Sequence, residues 1–222
     1  MNRTREPIVM AEHWSATRVG AALTSLVAAG SLLFFAAIKM QDKIDVGLIT
    51  RDPQVTTESP WYLGAASMIG VVGWAIATGI LGFAATLSVV DKRPRTTTLA
   101  LGTAALWSLL LLIDDLLLLH DDLLLRLLPD DRPILVIYAI GFAIWLYKFA
   151  GVFPRGARLP LLAAIAGFAA SAAIDFAWSI DSDWRLVLED GTKFLGIWSW
   201  TVFAAVWSAI TLRPDLDKVN DR

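Results

Sequence analysis

The sequence predicts an all-α fold, a polytopic transmembrane helical bundle of six membrane spans with both termini cytoplasmic. Composition is the first reason. Of 222 residues 56% are hydrophobic and only 18% are charged, against roughly a quarter charged in a soluble domain. The second is a repeated alternation of polar turns with apolar runs, each close to the about 20 residues that a span requires. The third is the distribution of Lys and Arg, which favours one side of the alternating turns although the loop after span one is as basic as any segment on that side.

Taken in order, Met1 to Trp14 is polar and mixed in charge, as suits a short tail. Span one covers residues 17–38; its apolar run is too long for a signal-peptide core and no cleavage site follows it. A polar loop fills Lys39 to Pro60. Span two, residues 61–90, carries Gly64, Gly70, Gly73, Gly79 and Gly82. Small residues of this kind let helices approach closely in lipid. A basic turn, Asp91-Lys92-Arg93-Pro94-Arg95, leads to span three at 98–119, whose leucine-rich run extends to 128. Span four covers 134–152 and holds Lys148, whose amine is expected to snorkel to the headgroups. Span five is 159–180, an acidic link follows, and span six is 192–212. The whole chain, 1–222, reads as a single integral membrane domain.

Orientation follows from the loops. Arg3, Arg5 and Arg18, then Lys92, Arg93 and Arg95, then Arg155 and Arg158, then Arg213, Lys218 and Arg222 fall on one side of a six-span arrangement. The positive-inside rule makes that side cytoplasmic. The opposite side holds Lys39, Lys43, Arg51, Arg126, Arg132 and Arg185, diluted by acids. Trp61, Trp178 and Trp184 then fall at the outer interface, where an aromatic belt is expected. The partner implied is the lipid bilayer, in a cytoplasmic (inner) membrane, with a homo-oligomer or membrane-complex partner as a further option.

Several function classes drop out. A net charge of −2 and a pI of about 5.6, without a basic stripe, leave no nucleic-acid partner. The absence of cysteine removes disulfides, thiolate ligands and cysteine catalysis. With His13 and His120 as the only histidines, a site that takes several from one chain is excluded. No nucleophilic serine motif, phosphate loop or dinucleotide fingerprint occurs.

What remains is a set of ionisable groups at membrane depth, which is a functional-site hypothesis by default. Asp114 and Asp115 lie in span three, Asp175 in span five, and Glu189 and Asp190 at the rim of span six, with Lys193 as a counter-charge. Each acid in spans three and five is about five residues from its outer end, roughly 7 Å deep at 1.5 Å per residue. On a continuous helix Asp114 and Asp121 share one stripe and Asp115 and Asp122 the next, while His120 points away.

Oxygen-rich, histidine-poor clusters suit hard divalent cations, so the leading expectation is an outward-facing, carboxylate-rich pocket that binds a cation. His120, Asp121 and Asp122 are further candidate metal ligands. Crowded carboxylates also hold protons, which makes a small ion- or proton-coupled transporter or channel the first alternative. The polar stations are one-sided, however, which favours a pocket over a through-path. Ion pairing of these acids with Lys193, Arg126 or Arg185 is the structural alternative, a subunit with no chemistry of its own. A metal-dependent membrane hydrolase is the remaining one. Asp115 and His120 resemble the aspartate and histidine that intramembrane metal hydrolases of the alkaline-ceramidase and adiponectin-receptor type place around zinc. The resemblance ends there, because residues 192–212 contain none of that group's paired late histidines.

Overall fold

Backbone polar groups in lipid have no water to bond, so an apolar run of this length must satisfy them within itself as a helix. A computed structural model of the chain describes residues 6–51, 53–119, 132–177 and 182–213, with side chains from residue 21 onward except 22, 23 and 132. Among the described residues there is no strand. The chain forms two compact units, Met1–Leu63 and Gly64–Arg222.

The first unit holds α1 (Glu6–Met40) and two short helices, α2 (Val46–Thr50) and α3 (Pro53–Thr56). The described apolar stretch of α1 runs Thr24–Met40. The expected polar loop after it is therefore partly helical. The Gln41 amide organises the turn, donating to Ile44 O at 2.7 Å and accepting from the Ile44 amide at 2.9 Å. Asp45 caps α2, its Oδ1 accepting from Gly47 N at 2.7 Å, which satisfies an otherwise orphaned amide.

The second unit holds α4 (Ala65–Val90), α5 (Arg95–Leu117), α6 (Arg132–Phe149), two single 3₁₀ turns (Ala150–Val152 and Arg155–Ala157), α7 (Arg158–Ala177) and α8 (Asp183–Leu212). With the flanking 3₁₀ turns, all five are long and apolar enough to cross a membrane, and they are compatible with an integral membrane protein. Large apolar side chains such as Phe83, Leu106, Ile137 and Leu159 face outward at 64–77% exposure. Lipid is the environment in which such a surface is stable.

Helix ends differ from the expected spans in three informative places. α4 starts at Gly64 with φ +67°, a left-handed backbone that glycine adopts without a Cβ penalty. α5 stops at Leu117, because Leu118 takes φ +50° and donates its amide back to Asp114 O. Asp114 and Asp115 thus lie in the last turn of a helix, rather than five residues inside it. α8 begins at Asp183, since Ser182 caps it by accepting from Arg185 N at 3.2 Å. The stretch expected as an acidic link is therefore largely helix, and Glu189 and Asp190 belong to its interior turns.

Consecutive helices alternate in direction, so α4 and α8 run parallel, and α8 lies at the centre of the unit. It meets α4 where Gly70 and Gly73 admit Ile197; a Cβ on Gly73 would sit 2.7 Å from Ile197 Cγ2. Thr201 Oγ1 bonds Gly73 O at 3.0 Å across the same contact. Against α7, Gly167 faces Gly196, and a Cβ on Gly167 would lie 2.7 Å from the Gly196 nitrogen. Gly79 and Gly82 have nothing within 4 Å, so the close-packing role belongs to only part of the α4 glycine series. The core of the unit is aromatic: Trp145, Phe149, Phe153, Trp200, Phe203 and Trp207 are all buried. Phe203 stacks on Trp207 with centroids 5.2 Å apart.

Candidate functional site

The final turn of α5 is an unfavourable place for carboxylates, because the helix dipole is negative there. Each of its two aspartates finds compensation on a different neighbour. Asp115 Oδ1 lies 2.9 Å from the Lys193 ammonium of α8, and its Oδ2 accepts from the Trp74 indole of α4, also at 2.9 Å. Trp74 is itself fixed by stacking on Phe168 of α7, centroids 5.6 Å apart and planes within 8°. Asp114, one residue and about 100° round the helix, turns instead toward α6. It is 2% exposed and lies beside the Tyr138 hydroxyl.

A second polar group lies further toward the start of α8. Arg185 reaches Asp175 of α7 at 2.9 Å and Glu189 at 3.1 Å. Ser182, which starts α8, also sets this geometry, placing Arg185 in the first turn and Glu189 one turn on. Glu189 Oε2 is enclosed and in ion-pair range of Arg185, although the geometry of a hydrogen bond is not met. Arg185, Glu189 and Lys193 follow one another at four-residue spacing, which lines them on one face of α8 over about 12 Å.

The sequence-derived residues therefore separate into two tiers. Asp115 and Lys193 come together, with Asp114 beside them on a different neighbour; Asp175 and Glu189 meet around Arg185. Asp190 is exposed on α8 and joins neither pair. His120, Asp121 and Asp122 lie outside the described residues. Among the described residues no three or more His, Asp or Glu gather closely enough to hold a metal ion. Lys148 is exposed, with its amine 5.5 Å from the centroid of the Phe149 ring.

Sequence reasoning overlooked Trp74 and Tyr138. Both are long amphipathic side chains whose polar tips need a partner when enclosed, and that is the signal available in the sequence. Which acid each one meets depends on helix rotation. The same rule accounts for two indoles deeper in the bundle: Trp200 Nε1 donates to Ser108 Oγ at 2.8 Å, and Trp145 Nε1 to Thr103 Oγ1 at 2.9 Å.

No curated protein and no solved structure matches the chain. A family model does match, over residues 17–207. The chain belongs to the family described as Domain of unknown function (DUF8692).

Proposed function

We propose that this is a multi-pass protein of the cytoplasmic membrane whose carboxylate layer binds a cation at Asp115, in exchange with the ammonium of Lys193. One observation carries the reading: Asp115 is the more enclosed partner of its ion pair and is held by a second hydrogen bond from Trp74. The Trp74 indole holds one oxygen, and the carboxylate side chain is 11% exposed against 40% for Lys193. A flexible lysine can withdraw along its own stem while the carboxylate stays in place.

Energetics favour this over a purely structural role. Taking two charges out of water costs several kcal/mol per ion, so a buried pair is often no better than a well-packed apolar contact. The bundle already has close apolar joints at Gly73–Ile197 and Gly167–Gly196. An ionisable pair added to such joints suggests a use for its charge. A single carboxylate balanced by one ammonium matches a monovalent cation or a proton in charge. Asp114 would tune the site, and the Asp175–Arg185–Glu189 group with Asp190 would form its approach.

The second reading is an ion-pair lock without exchange, and the pairing of Arg185 with both Asp175 and Glu189 supports it. Thermal unfolding of the purified chain in sodium, potassium, magnesium or calcium chloride, at constant ionic strength, separates the two. Exchange predicts a cation-specific rise in melting temperature that is larger in Lys193→Met and absent in Asp115→Asn. Identical curves in every salt for both the native chain and Lys193→Met would leave the lock.

A further inference from the structure

The opposite end of the Gly64–Arg222 unit is basic. The alternation of helices brings the α4–α5 turn, the 3₁₀ turns before α7 and the end of α8 together there, with Lys92, Arg93, Arg95, Arg155, Arg158 and Arg213. Among the described residues of this end, Asp91 is the one acid. Arg93 ties two of the segments together, its Nη2 donating to Leu212 O at 3.4 Å, where a cation also offsets the negative end of α8.

Lys92 is the informative residue. α4 ends in a Schellman motif: Arg93 N bonds Ser88 O at 2.9 Å, Lys92 N bonds Val89 O at 3.1 Å, and Lys92 takes φ +52°. That position is usually glycine, because other L-residues are strained there. A lysine in it keeps a cation at the cost of backbone strain. The neighbours of these cations are apolar and exposed. Val89 and Val90 are 65% and 70% exposed and Leu159 is 77% exposed, as apolar lipid-facing residues, and Lys92 and Arg158 follow or precede them within two positions. Cations at the ends of membrane-length apolar helices are expected at the level of the headgroups.

We propose that this end is a binding surface for anionic phospholipid headgroups, with Lys92, Arg95 and Arg158 as its outward cations and Arg93 as the residue that holds the segments in register. Basic residues at this depth are drawn to anionic lipid over zwitterionic lipid, and the attraction is screened by salt. Free phosphate shares the chemistry of the headgroup, so the test separates them.

The full chain is reconstituted in phosphatidylcholine bilayers and in bilayers with about one-quarter phosphatidylglycerol, and thermal unfolding is followed in each. The expected result is a higher midpoint with the anionic lipid, shrinking as salt is added. Lys92→Gly relieves the strained backbone, so its midpoint in phosphatidylcholine alone should equal or exceed that of the native chain while part of the anionic-lipid rise is lost. Adding Arg95→Gln and Arg158→Gln should abolish the rise, whereas Lys43→Gln in the other unit should retain it. Equal midpoints in the two bilayers, or a rise untouched by the triple variant, would overturn the proposal. So would a full rise produced by inorganic phosphate in phosphatidylcholine alone, which would make the ligand a free anion.

Discussion

The Lys193 ammonium lies 2.9 Å from Asp115 Oδ1, between residues 78 apart in the chain, and Asp115 is the more enclosed partner. The two deletions are therefore unequal. Lys193→Met leaves an enclosed carboxylate stranded at the negative end of α5, and for a part-buried pair a cost of about 1 kcal/mol or more is expected, between the values for exposed and buried pairs. Asp115→Asn keeps an acceptor for the Trp74 indole and leaves an ammonium that can snorkel. Denaturant or thermal unfolding of the two variants should rank Lys193→Met as the less stable.

Trp200 and Ser108 offer a neutral counterpart. Their 2.8 Å bond is buried on both sides, so Ser108→Ala should leave an unsatisfied indole N–H and cost about 1–3 kcal/mol. Adding Trp200→Phe removes the orphaned donor. The double variant should then lose less than the sum of the single ones, by about 0.6 kcal/mol or more, as interhelical bonds in membranes do. Strict additivity in an unfolding cycle would contradict the bond.

Glycine positions divide by contact. Gly167→Ala drives a methyl to 2.7 Å from the Gly196 backbone, which can be relieved only by separating α7 from α8. A loss of about 1–3 kcal/mol is expected. Gly79→Ala and Gly82→Ala meet nothing within 4 Å and replace glycine inside a helix, so each should be neutral or stabilising, by up to about 1 kcal/mol. Melting temperatures of the three variants check the contrast.

Arg185 stands between two carboxylates, at 2.9 Å from Asp175 and 3.1 Å from Glu189. Arg185→Gln should leave them facing each other and destabilise the α7–α8 contact, and Asp175→Asn added to it should recover part of the loss. Unfolding midpoints of the single and double variants give the answer. No recovery would mean that Arg185 acts through its packing alone.

Helices were legible in the sequence wherever an apolar run met a clear stop. The basic turn at 91–95 and the Pro-containing turn after Val152 mark the ends of α4 and the start of α7 to within a few residues. The end of α5 was not legible, since Leu116, Leu117, Leu118 and Leu119 are alike and nothing in their type announces the left-handed backbone of Leu118. The start of α8 carried a signal that charge obscured: Ser182 followed by Asp183 is a helix cap with an acid in the first turn, although the acids beyond it resemble a loop. Within the site, counting residues puts Asp114, Asp115, Asp175 and Lys193 toward the same end of the bundle, although α5 ends sooner after its two aspartates than the count implies. The partner of each does not, because pairing depends on how far each helix is rotated about its axis.

The most direct measurement for the central claim is a double-mutant cycle on Asp115 and Lys193, read as unfolding free energy in the same lipid or detergent. With Asp115→Asn, Lys193→Met and the double variant, a real ion pair predicts a coupling of about 1–3 kcal/mol, with the double variant more stable than Lys193→Met alone. A coupling near zero, with the two losses simply adding, would contradict the pairing on which the proposed site depends.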